Sequence, residues 1–208
     1  MTSEELLERV AFAGSVLGPL MMEAPDSPRC LSIIDQLAVL DSLGEWPFGS
    51  EDDRALAYDL IARGLSAEYR PTLKQEYTRL FIGSSKFQAP PWGSVYLDHD
   101  SVVFGDSTVE LRRWLKANGV DVLYAEKEPP DQIGRALLLL VYLVEERPDL
   151  VSAYLDDHLL PWAPRFFELF VGDASHPFYE GLGRLGRTVT DALVEAREAP
   201  ARPRKLFF

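Results

Sequence analysis

Glu128-Pro-Pro-Asp-Gln-Ile-Gly-Arg-Ala-Leu-Leu-Leu-Leu-Val-Tyr-Leu-Val-Glu-Glu146 joins a proline-rich opening to a run that is apolar on every side of a helical wheel over Leu137–Val144. A helix with no polar face is one surrounded by other elements, so this segment predicts a central helix threading the core. Its apolar run, Ala136–Val144, has nine residues, far short of the roughly 20 that cross a bilayer. No membrane span is expected.

Outward from that helix the period stays helical. Toward the N-terminus, Leu6, Val10, Ala13, Leu17 and Leu20 share one face. Ser27-Pro28 reads as an N-cap and first-turn pair, and Ile33, Leu37 and Leu40 carry a second helix to Gly44. Arg54–Gly64 predicts a short helix. Pro71 opens another that brings Tyr77, Leu80 and Phe81 to one face and closes at Gly83. Residues 84–106 form a long loop rich in aromatic residues and proline, in which Pro91 extends the chain at Pro90. Ser107-Thr-Val-Glu110 has the pattern of a capping box, so Thr108–Asn118 is expected to be helical, ending at Gly119. Further helices fit Leu150–His158, Trp162–Val171 and Pro177–Glu198. The last ten residues hold two prolines, several basic side chains and an apolar end, a tail built to dock or to fray. Strand signals are confined to Val102–Phe104 and Val120–Tyr124. The fold class is all-α: one domain over 1–208 of nine to ten helices, with halves at about 1–83 and 107–198.

Composition narrows function. The 208 residues are 47% apolar, enough for one sizeable core, and carry a net charge of −12. Residues 1–106 hold 8 basic and 17 acidic side chains, and residues 107–208 hold 13 and 16. An acidic field of this kind repels phosphate backbones and favours basic partners, which argues against nucleic acid. The single cysteine, Cys30, has no partner for an intramolecular disulfide. The N-terminus lacks the basic and apolar regions of a secretory signal, so a reduced cytoplasm is the expected location.

Catalytic motifs are weak. Gly181-Leu-Gly-Arg-Leu-Gly186 spells GxGxxG, but it lies inside a helical stripe with no preceding strand, so close helix packing explains it better than a dinucleotide. His99, His158 and His176 lie on three different elements, and capping or packing suits the latter two. No metal or cofactor is assigned. Ser94 lacks the second glycine of a nucleophile elbow. What remains has no nucleophile: an aromatic face of Tyr77, Leu80 and Phe81, a rigid Pro90-Pro91-Trp92 loop with Tyr96, and the carboxylates Asp98, Asp106, Glu128 and Asp131. From these residues alone, core and capping roles remain as open as a binding surface.

Six segments taken together resemble the TorD/DmsD family of redox-enzyme maturation chaperones: Tyr77-Thr-Arg-Leu-Phe-Ile-Gly83, Ala89-Pro-Pro-Trp-Gly-Ser-Val-Tyr-Leu-Asp98, Val103-Phe-Gly-Asp-Ser-Thr108, Glu128-Pro-Pro-Asp-Gln132, His158-Leu-Leu-Pro-Trp162 and His176-Pro-Phe-Tyr179. The likeness runs from about Tyr77 to Leu193 and is nearest to the branch serving dimethyl sulfoxide reductase. It implies a helical protein without catalysis that binds the twin-arginine leader of a molybdoenzyme precursor, with the twin-arginine translocase as a further partner. It transfers a binding role to Tyr77, Leu80, Phe81, Pro91, Trp92, Gly105 and Asp131. Gln132 stands where the family has histidine, and Tyr77 where the nearest branch has tryptophan. On this reading Asp131 and one of Asp98, Asp106 or Glu128 pair with the arginines, while Leu80, Phe81 and Trp92 meet the apolar part of the leader. The alternatives are a chaperone that recognises the folded body of its client, a nucleotide-binding or hydrolytic enzyme using Gly181–Gly186, and a ligand-sensing helical regulator.

Overall fold

The computed structural model describes residues 3–39, 46–83, 86–121, 128–197 and 204–208. Ten α-helices follow one another: α1 (Ser3–Met22), α2 (Pro28–Val39), α3 (Glu51–Gly64), α4 (Leu73–Tyr77), α5 (Gly93–Leu97), α6 (Asp106–Ala117), α7 (Ile133–Glu146), α8 (Val151–Tyr154), α9 (Ala163–Asp173) and α10 (Pro177–Glu195). No strand occurs among the described residues, in keeping with the all-α expectation. Val102–Phe104 is a turn rather than a strand, and Val122–Tyr124 lies outside the described residues, as do Leu40 and Gly44.

The apolar segment is the central helix that its composition predicts. Ile133, Ala136, Leu137, Leu139, Leu140 and Leu143 of α7 are all buried. Helix α1 lies along it, and α10 packs against α3 and α9. Small residues let these crossings close. A Cβ at Gly134 would stand 2.5 Å from the Gly18 carbonyl oxygen, and one at Gly14 would stand 2.6 Å from Val141. The GxGxxG stretch serves the same purpose. Gly181, Gly183 and Gly186 are buried inside α10, where added Cβ atoms would meet the Ala57 carbonyl oxygen at 2.6 Å, the Phe170 ring at 2.7 Å and the Phe167 ring at 2.1 Å. A continuous helix here removes the strand, turn and helix N-terminus that a dinucleotide site needs.

Several boundaries differ from the sequence expectation for identifiable reasons. Helix α3 starts three residues early because Ser50 and Asp53 form a reciprocal capping box. The expected Ser107 capping box is not formed: Ser107 is already inside α6, and Asp98 caps that helix from outside. The helix carrying Tyr77, Leu80 and Phe81 opens as a 3₁₀ turn at Arg70–Thr72, is α-helical over Leu73–Tyr77 and widens to a π turn at Thr78–Ile82. The expected Leu150–His158 helix is likewise α only over Val151–Tyr154, with a π turn at Leu155–Leu159. Ser27 does cap α2, accepting the Cys30 N–H at 3.2 Å, and Gly119 has the positive φ (67°) of a C′ glycine.

Arg204–Phe208 docks. The Phe207 N–H donates to the Tyr96 carbonyl at 2.9 Å, and the Phe208 ring meets the Tyr96 ring edge-on at 5.5 Å.

Candidate functional site

The segment expected as a loop over 84–106 holds the short helix α5 at Gly93–Leu97, and it is fastened to the entrance of α7 by main-chain bonds. Trp92 and Gln132 form an antiparallel bridge. Around it the Ile133 N–H donates to the Pro91 carbonyl (2.8 Å) and the Gly93 N–H to the Asp131 carbonyl (2.9 Å). Proline cannot donate, so Pro91 offers only its carbonyl, which is used here.

Asp131 is the knot of this arrangement. It is 5% exposed. Its Oδ2 accepts the Ser94 N–H at 2.7 Å and its Oδ1 accepts the Thr108 hydroxyl at 3.0 Å. One carboxylate thereby satisfies a free N–H in the first turn of α5 and ties α5 to α6. Asp98 does the same at the next helix: its carboxylate accepts the Ser107 N–H (3.1 and 3.2 Å) and the Ser107 hydroxyl (3.0 Å). Gly105 makes room for that cap, because a Cβ there would lie 2.0 Å from Asp98 Oδ2.

Gln132 and Tyr77 hold the end of α1. The Gln132 amide donates to the Met21 carbonyl at 2.7 Å and accepts the Arg135 N–H at 3.0 Å, which makes it the N-cap of α7. The Tyr77 hydroxyl donates to the Met22 carbonyl at 2.7 Å, and burial pushes its phenol up to about 12. Both bonds go to carbonyls that a helix C-terminus leaves without partners.

The expected wall of Tyr77, Leu80 and Phe81 therefore does not face solvent. All three are core residues, with Phe81 packed between Tyr77, Phe170 and Tyr179. Pro91 and Tyr96 are buried as well. Asp131, expected to face a guanidinium, is turned inward. The hydrophobic effect accounts for the difference: large rings on a helix beside an apolar core are covered by it.

The rim that remains outside is formed by other members of the expected set with neighbours that the sequence did not single out. Trp92 is half-buried and meets Phe87 edge-on at 5.3 Å. Asp106 and Glu128 are exposed. Phe104 is exposed beneath the Arg112 guanidinium, 5.3 Å from its ring centre, and Arg112 donates to the Glu128 carbonyl at 3.4 Å. The Glu128 carboxylate pairs with Arg135, one turn from Gln132. Contacts thus run without a break from Trp92 through Gln132, Arg135, Glu128 and Arg112 to Phe104.

Away from the rim, Glu76 is 7% exposed. It accepts two Arg79 N–H groups at 2.8 Å each and the N–H and hydroxyl of Ser175 at 2.8 and 2.9 Å. Arg79 reaches on to Asp173 at 3.0 Å. Burial alone would push the Glu76 carboxyl up, yet the bonds from Arg79 and Ser175 hold it below its usual range. This cluster locks the π turn to the end of α9 and the turn that leads into α10, and no motif announces it. The histidines follow their expected packing and capping roles. His176 accepts the Phe178 N–H at Nδ1 (3.2 Å), which leaves Nε2 to donate to the Tyr69 carbonyl (3.0 Å). His158 lies against Trp114 and Tyr154, and burial holds its imidazole below the ordinary value. Among the described residues no group of three or more His, Cys, Asp or Glu side chains is placed to hold a metal ion, and no helix is long and apolar enough to cross a membrane.

Residues 50–168 match the family model described as the nitrate reductase delta subunit. The chain is 40% identical over 184 residues to the Tat proofreading chaperone DmsD of Salmonella typhi, covering 87% of this chain and 88% of that one. It is 27% identical over 152 residues to the chaperone protein TorD of Aliivibrio fischeri, covering 67% and 71%. A crystal structure from Archaeoglobus fulgidus, described as that of a redox enzyme maturation protein, shares the fold with a TM-score of 0.54 at 20% identity over 92% of this chain and 96% of that one. These relatives are named as chaperones and not as enzymes. With more than half of its length matched by the model and a 40% identical relative along most of it, this chain belongs to the TorD/DmsD family of redox-enzyme maturation chaperones.

Proposed function

We propose that this chaperone binds, in the cytoplasm, the twin-arginine leader of a molybdenum-containing oxidoreductase precursor of the dimethyl sulfoxide reductase kind, and holds it until cofactor loading is complete. The observation that carries this reading is the rim itself: half-buried Trp92 with exposed Phe104, Asp106 and Glu128, on segments whose backbone is pinned by the main-chain bridge between Trp92 and Gln132. A pinned loop loses little entropy on binding, so its contacts count toward affinity.

A twin-arginine leader offers two guanidinium groups followed by an apolar stretch. Asp106 and Glu128 supply bidentate acceptors of the right chemistry, and Trp92 and Phe104 supply apolar and cation-binding faces. The Glu128–Arg135 pair does not oppose this. Glu128 is half exposed and Arg135 is 16% exposed, so the remaining acceptor sites of the carboxylate can take an incoming arginine without releasing Arg135. Asp131, Gln132, Tyr77, Leu80, Phe81 and Tyr96 support the rim from beneath. Covering the leader keeps the precursor from the translocase, a kinetic hold that requires only reversible affinity.

The test is calorimetric titration of a synthetic leader, with tryptophan fluorescence in parallel, against the same peptide with both arginines replaced by alanine. Binding of the first and at least tenfold weaker binding of the second are expected, since two charge-assisted pairs at about 1 kcal/mol or more each are lost. Equal affinity refutes the arginine pairing and leaves recognition of the leader by its apolar part, whereas absence of binding by both peptides leaves recognition of the folded client body.

A further inference from the structure

We infer that Arg204–Phe208 is a built-in competitor for the leader, seated in a continuation of the same binding surface. The inference rests on the leader-binding reading above and adds to it where the apolar half of the leader lies and what the leader must displace.

The segment reads Arg-Lys-Leu-Phe-Phe: two cations followed by three large apolar residues, the same order of chemistry as the leader. Its placement follows that order. Arg204 pairs with Glu110 of α6 at 3.2 Å. Glu110 stands one turn from Asp106, so the acids of the rim and of this berth form one stripe on α6. Leu206 forms one wall of an open cleft of about 410 Å³, opposite Leu160, Pro161 and Pro164 and beside the charged Arg165 and Glu168. Phe207 lies against His99 at 5.5 Å and Phe208 against Tyr96 at 5.5 Å.

The Phe207 N–H bond to the Tyr96 carbonyl is a main-chain bond that any extended peptide can reproduce, and alternate side chains then enter the flanking sites. The fit is loose. Leu206, Phe207 and Phe208 remain 36%, 37% and 39% exposed, unlike core residues, so the segment can leave without unfolding the bundle. A tethered occupant at an effective concentration near millimolar lowers the apparent affinity of an external peptide without being consumed. A ligand with more apolar contact displaces it; weakly matching peptides do not.

The experiment uses the full chain and a Leu206→Ser/Phe207→Ser/Phe208→Ser variant, each titrated with a fluorescent leader peptide. A dissociation constant roughly tenfold lower in the variant is expected from release of a millimolar tether whose own dissociation constant is about 0.1 mM. Arg204→Glu, which leaves the apolar residues in place, is expected to shift affinity in the same direction. Free Arg-Lys-Leu-Phe-Phe peptide should displace the leader from the triple variant competitively. An unchanged dissociation constant, or a pentapeptide that leaves the leader bound, overturns the inference while the leader-binding reading stands. Absence of leader binding to any of the proteins overturns both.

Discussion

Replacing Asp131 by alanine would strand two donors. The Ser94 N–H and the Thr108 hydroxyl point at its carboxylate from 2.7 and 3.0 Å, and the site is 5% exposed, so water replaces the lost acceptor poorly. Hydrogen bonds to a charged group contribute about 1.5–3 kcal/mol each and are not additive, which sets the loss near 3 kcal/mol. For a chain of 208 residues each kcal/mol moves Tm by about 2–4 °C, so a fall of roughly 6–12 °C is expected. Asp131→Asn keeps one acceptor oxygen and turns its amide toward the second donor, so it should lose about half as much. The assay is thermal and urea unfolding followed by circular dichroism, alongside leader titration well below the transition. Leader affinity of the folded fraction should change less than about threefold, because the carboxylate faces inward and the main-chain bridge between Trp92 and Gln132, which does not need that side chain, still pins the loop. An unchanged Tm in both variants, with leader affinity down more than tenfold, would refute this account and identify Asp131 as a direct partner of a leader arginine.

Two other perturbations bear on the same framework. Gly105→Ala places a methyl 2.0 Å from Asp98 Oδ2 and should break the cap on α6, costing about 1–2 kcal/mol by differential scanning calorimetry; a variant as stable as the parent would mean that the cap contributes nothing. Because the folded carboxyl of Glu76 is held below its ordinary value of 4.5, its contribution is fully present above about pH 4.5 and is lost as pH falls further through the folded value. Urea midpoints measured from pH 6 to 3 should therefore drop less steeply in Glu76→Gln than in the parent, and parallel profiles would contradict the cluster's role.

The helical class, the central α7 and the packing role of Gly181–Gly186 were legible because period and composition report burial directly. Helix starts were less so. Ser50-Glu-Asp-Asp53 carries a capping signal, but the acidic run reads equally well as loop; Ser107 carries the same signal and is overruled by Asp98, an acceptor nine residues earlier whose proximity only the folded loop creates. The candidate site was half legible. The residues named in the motifs do converge, yet most converge inward: Tyr77, Phe81, Asp131 and Gln132 spend their polar and apolar groups on the core. A one-dimensional pattern identifies residues that must meet, and it does not say on which side of the chain they meet. The rim contributed by exposed Phe104 and half-buried Phe87, and the berth for Arg204–Phe208, depend on contacts between distant segments that no local period encodes.

The close approach of Gly134 to Gly18 has a consequence during synthesis. Helix α1 leaves the ribosome before α7, but α7 is the surface that buries most of its apolar stripe. Until translation has passed Glu146 the stripe lacks its main native cover, and a nascent chain in that state is a substrate for holding factors and a hazard for aggregation. Rare codons or pauses placed before Glu146 should therefore lower the yield of folded protein more than the same pauses placed after it.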